Sequence, residues 1–129
     1  MATITASIER IESFGDGDCH VITWAALTTT NNYGSPIEMP GSADRSVQLL
    51  GALGTGGAVT MYGSNKASPD LATDTDWAIL NDPQGNTLAM STLKIETILE
   101  VTRWIRPKIT AGDGATSLTI ALLLRRPFQ

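Results

Sequence analysis

The chain has 129 residues, with 13 acidic against 9 basic side chains, a net charge of −4, one histidine and one cysteine. This is the length of one ordinary domain, able to bury a core without metal or disulfide staples. Cys19 alone excludes an intrachain disulfide, and the acidic balance argues against a nucleic-acid backbone as partner.

Charged residues are 17 % of the chain, below the ~25 % usual in globular domains. The deficit favours strands joined by Thr, Ser, Gly and Asn loops over long solvated helices. The N-terminal "MATITASIER" lacks a basic region followed by an apolar core, so no secretory signal is expected. No apolar run is long enough to span a bilayer. The expected compartment is the cytoplasm in which the chain is made, with export by a route that needs no signal as the alternative, and no membrane partner is expected.

Alternation of side chains, the period of a half-buried strand, recurs along the chain. In "CHVITWAAL" (Cys19–Leu27), Ile22, Trp24 and Ala26 share a face with His20, and Cys19, Val21, Thr23 and Ala25 share the other. Val47 and Leu49 face one way in "RSVQLLGAL", with Gln48 and Leu50 opposite. "AVTMYGS" places Val59 and Met61 together, against Thr60 and Tyr62. The segment "STLKIETILEVT" (Ser91–Thr102) mixes its spacings, and fits a short helical turn as well as a strand. "RWIRPKIT" sets Ile105 and Ile109 against Arg106 and Lys108, and "SLTIALLLR" aligns Leu118, Ile120, Leu122 and Leu124.

Turn signals separate these segments: "FGDGD", "TNNYGSP", "MPGSAD", "NDPQGN" and "AGDGAT". The pattern predicts an all-β fold, residues 1–129 forming a single antiparallel β-sandwich or jelly roll of about eight short strands with little helix. The glycine-dense "GALGTGG" (Gly51–Gly57) suggests a phosphate loop. No helix or Lys-Ser/Thr pair follows it, and the strand-like "AVTMYG" does, so it reads as a hairpin turn.

No catalytic constellation is evident. Cys19 and His20 are strand neighbours and point to opposite faces, so a Cys-His nucleophile pair is disfavoured. The acidic loop carrying Asp70, Asp74 and Asp76 lacks EF-hand spacing and reads as solvated, with calcium as the alternative. Trp24, Trp77 and Trp104 read as core residues, with sugar stacking as the alternative. Arg103, Arg106 and Lys108 form a basic edge around Trp104, on a strand face expected to be solvated, with pairing to an acidic partner surface as the alternative. Near the C-terminus, Arg125, Arg126 and Phe128 stand together; Phe128 after two arginines suggests docking on the domain or a neighbour. No cofactor or metal is expected.

Four stretches, spanning roughly Ile22 to Arg126, carry a resemblance. They are the "TW" strand, the "ADRSVQ" strand, "GSN" followed by a Trp and "DPQGN", and the "RWIRP" strand. Together they resemble the head decoration, or cement, proteins of tailed bacteriophages, which have jelly-roll or β-sandwich folds. One departure is the insert "KASPDLATDTD" between Asn65 and Trp77, where the pattern has a short turn. The resemblance implies a virion structural protein without enzyme activity. Such a protein binds the outer surface of the assembled capsid, ties major capsid protein subunits together and self-associates as a dimer or trimer. Arg103, Arg106, Arg125, Arg126 and Phe128 are the expected interface residues. A tail or fibre module and a carbohydrate-binding module are the alternatives.

Overall fold

A computed structural model describes residues 3–11 and 19–127. Twelve strands lie within them: β1 Thr3–Ile4, β2 Ser7–Ile11, β3 Cys19–Leu27, β4 Tyr33–Gly34, β5 Ile37–Glu38, β6 Asp44–Ala52, β7 Ala58–Ser64, β8 Ala78–Ile79, β9 Ala89–Met90, β10 Ile95–Thr97, β11 Trp104–Ala111 and β12 Ser117–Arg125. The expected eight strands correspond loosely to the longer ones; β1, β4, β5, β8 and β9 are two-residue pairings in the connections. A three-residue 3-10 turn at Asp74–Asp76 is the helical element among the described residues.

The strands form an all-β sandwich. One sheet runs β10-β6-β12-β3-β2; the other runs β1-β4-β11-β7-β8, with β5 beside β11 and β9 beside β7. Pairing is antiparallel except between β1 and β4. The chain changes sheet at most connections: from β1 to β2, β3 to β4, β5 to β6, β6 to β7, β9 to β10, β10 to β11 and β11 to β12.

The core lies between the sheets. From one side come Ile22, Trp24, Val47, Leu49, Ile120 and Leu122; from the other come Val59, Met61, Met90, Ile105 and Ile109. These are the inward faces that alternation predicts on β6, β7, β11 and β12. On β3 the alternation breaks. Trp24 pairs with Ile120 and Leu27 with Leu118, so β3 spends one residue more than β12 over the same span. Ala26, at φ 58°, absorbs the extra residue, and its N–H donates to Thr119 Oγ1 at 3.2 Å. This β-bulge turns Leu27 inward, where strict alternation would have placed Ala26.

Trp24 joins the two layers. Its Nε1 donates to Ser35 O at 2.9 Å, just beyond β4. The approach is close because position 34 is glycine: a Cβ there would lie 2.6 Å from Pro107 Cδ and 2.8 Å from Trp24 Cδ1.

Two expectations are corrected. "LGTGG" is not a hairpin: β6 and β7 belong to different sheets, and the turn carries the chain across the sandwich. Gly54 and Gly56 take φ of 64° and 70°, and a Cβ on Gly57 would run into Leu53 O. The same residue types serve either turn; the pairing partners of β6 and β7 decide which forms. The segment 91–102 is neither helical nor a continuous strand. Only Ile95–Thr97 pairs, with Gln48, Val47 and Ser46, at the sheet edge.

Candidate functional site

The outer face of β11 carries Trp104, Arg106 and Lys108, as the sequence implies, but Arg106 is not solvated. It is 1 % exposed. Its guanidinium carbon lies 4.4 Å from the Trp77 ring centroid, 5.0 Å from Tyr33 and 5.1 Å from Tyr62. β4 supplies Tyr33, β7 supplies Tyr62 directly opposite Arg106, and Trp77 arrives from the segment after β7. That segment is the acidic insert, which folds over the sheet. Lys108 Nζ stands 5.0 Å from the Tyr33 ring and 3.9 Å from Asp74 Oδ1. Arg106 Nε and Nη1 have no hydrogen-bond partner among the described residues. Burial pushes the guanidinium pKa down; Tyr33, Tyr62 and Asp74 oppose the shift. Facing aromatic rings favour a cation electrostatically, so Arg106 works as packing as well as charge. The solvated face expected for Arg106 is therefore corrected: its side chain is buried against Trp77.

The insert is held by its own carboxylates. Asp76 Oδ1 accepts from Lys66 Nζ and Oδ2 from the Asp70 N–H, each at 2.9 Å. Asp70 in turn accepts from the Ala72 N–H and the Thr73 hydroxyl. These oxygens are taken up by the loop's own donors, and among the described residues no group of three His, Cys, Asp or Glu side chains forms a metal site. Beside the loop an open cleft of about 490 Å3 is lined by Ser64, Asn65, Lys66, Asp76, Trp77 and Thr102, among others.

The other predicted arginines meet at one end of the sandwich. Arg103 pairs through Nε with Glu38, and its N–H donates to Asn65 Oδ1 at 2.9 Å. Arg125 Nη2 contacts Asp44 Oδ2 at 2.8 Å. Arg126 is exposed near Gly41, on the turn that joins Glu38 to Asp44. Phe128 lies outside the described residues. An arginine that the sequence analysis passed over anchors this end. Arg45 is buried, donating from Nε to Ser42 O and from Nη2 to Met39 O and Thr102 O, at 2.9–3.1 Å. Its position on the apolar face of β6, in phase with Val47 and Leu49, was the signal for burial.

A broader surface emerges only from the register. Across the five-stranded sheet the outward residues run Ser7, Thr23, Ala121, Gln48, Ile95 in one row and Glu9, Val21, Leu123, Ser46, Thr97 in the next. Leu50, Ile95 and Leu123 are exposed. Charge in these rows is confined to Glu9, with the Asp44–Arg125 pair one row further on. No described segment covers this face, whereas on the opposite sheet Trp77 lies over Arg106 and Asp74 stands beside Lys108.

None of the three tryptophans is well exposed. Trp24 and Trp77 are buried, and Trp104 is half-buried with its Nε1 unpartnered among the described residues. Comparison with protein-family models, curated proteins and solved structures finds no match.

Proposed function

We propose that this chain is a bacteriophage capsid decoration protein, which binds the outside of the assembled head and stabilises contacts between major capsid protein subunits. The observation that carries the reading is the open outer face of the five-stranded sheet, poor in charge and exposing Leu50, Ile95 and Leu123. Interface centres are depleted in charge, with polar groups at the rim. Here Arg125–Asp44 stands one row beyond the apolar rows, followed in the chain by the exposed Arg126. The mechanism is adhesive: a rigid body whose many copies share the work of holding the shell. The sequence resemblance points the same way. A sugar-binding role finds less support, because Trp77 spends its ring face on Arg106 and Trp24 is in the core.

The test is co-sedimentation of the purified protein with capsid shells lacking it. The expected result is saturation at a fixed number of copies per shell subunit. Leu123→Glu places a charge at the centre of the face and should abolish saturation while circular dichroism stays unchanged. Failure of the unmodified protein to bind intact shells would overturn the reading.

A further inference from the structure

β2 forms one margin of the five-stranded sheet. It pairs with β3 on one side, and no described strand pairs with it on the other. Such an edge presents a row of main-chain N–H and C=O groups ready for another strand. Ser7, Ile8, Glu9 and Arg10 are all exposed, and Ile8 is 61 % exposed. The exposure of Ile8 is unusual for its place. It stands opposite the fully buried Ile22 and so points to the core side of the sheet, but at this margin the described residues leave most of it uncovered.

We propose that β2 pairs antiparallel with the β2 of a second copy, about a two-fold axis through Ile8, so that the two five-stranded sheets become one continuous sheet. Register selects this axis. Residues directly opposite in an antiparallel pair point to the same face, so the axis must pass through a residue, which then meets its own copy. Within the interior of β2 there are three choices. An axis at Glu9 sets Glu against Glu, and one at Arg10 sets Arg against Arg; like charges directly opposite are destabilising. An axis at Ile8 sets Ile against Ile, with Ser7 opposite Glu9. That arrangement covers the apolar side chain left open at the margin and satisfies the edge backbone in one step. The opposite margin, β10, offers three residues. The self-complementary contact is what a two-fold dimer requires. The pairing does not depend on shell binding.

The experiment is sedimentation velocity of the full chain over a concentration series, with no capsid present. A species of two chains is expected. Ile8→Lys, an exposed position, should leave the circular dichroism unchanged and remove the two-chain species at concentrations where the native chain forms it. In a Cys19→Ser background, Ile8→Cys should cross-link into a covalent dimer under mild oxidation. The axis brings these two Cα atoms within disulfide reach, while Ser7→Cys places its pair further apart and should not cross-link. A monomer at every concentration, a three-chain species, or a dimer indifferent to Ile8→Lys would overturn the proposal. Loss of shell binding with an intact dimer would count against the decoration reading alone.

Discussion

Three rings close on the Arg106 guanidinium, and no salt bridge among the described residues involves it. Burying an unpaired cation is costly, so the rings and the packing of the long side chain must carry it. Arg106→Ala removes both contributions and opens a cavity beneath Trp77. The expected cost is about 3 kcal/mol, from a desolvated cation–π contact and a large-to-small core change. Arg106→Met keeps much of the volume, places a thioether among the rings and should cost less than half as much. Denaturant unfolding of the two variants checks this; equal losses would mean that charge alone matters. Alternation placed Arg106 outward, and it is outward. Its burial was not legible, because the covering Trp77 lies 29 residues away and nothing local marks the insert as folding back. Arg45 was legible in principle, since it shares the phase of Val47 and Leu49, but an arginine in that phase marks burial only once its carbonyl partners are known.

At the scale of elements, the connections are pinned by carboxylates that accept backbone N–H groups. Asp76 is held below the usual carboxylate range first by the Asp70 N–H and then by Lys66. Asp113 is lowered by the N–H groups of Ala115 and Thr55. Glu100 is pushed up by burial, but the Asn81 N–H and side-chain amide, at 2.7 and 2.6 Å, outweigh it, and its pKa falls below normal. All three folded-state values are depressed. Each group therefore contributes stability that is present above its unfolded pKa, about 4, and lost as pH falls through its folded pKa. The denaturation midpoint is expected to be level from neutral pH to about 5 and to fall below about 4. Glu100→Gln should flatten part of that fall, and an unchanged acid profile in this variant would contradict the assignment. Turns were legible as turns from their Gly, Asn and Asp content. Their destination was not: Leu53–Gly57 reads as a hairpin and proves to be a crossing between sheets. The phase slip at Ala26 was also hidden, since its positive φ is usually marked by Gly or Asn and an alanine gives no such signal.

For the whole molecule, the repeated change of sheet means that almost every pairing joins residues far apart in sequence. β12 lies between β3 and β6 in the five-stranded sheet, and its Ile120 pairs with Trp24, most of the chain away. Non-local topology of this kind slows folding, because loop closure comes before the contacts that reward it. Refolding followed by tryptophan fluorescence is expected on the scale of milliseconds to seconds, about the range of other β-sandwiches; relaxation in microseconds would contradict this. The sequence by itself determined the class of the fold and which faces of β6, β7, β11 and β12 turn inward, because a two-residue period of apolar side chains is a local property of an extended chain. The tertiary structure alone decided which strands share a sheet, that Trp77 covers Arg106, and that the described segments leave the outer face of the five-stranded sheet and the β2 edge uncovered. Those outcomes depend on which distant segments meet, and pairing between remote strands leaves no mark in the local pattern of either.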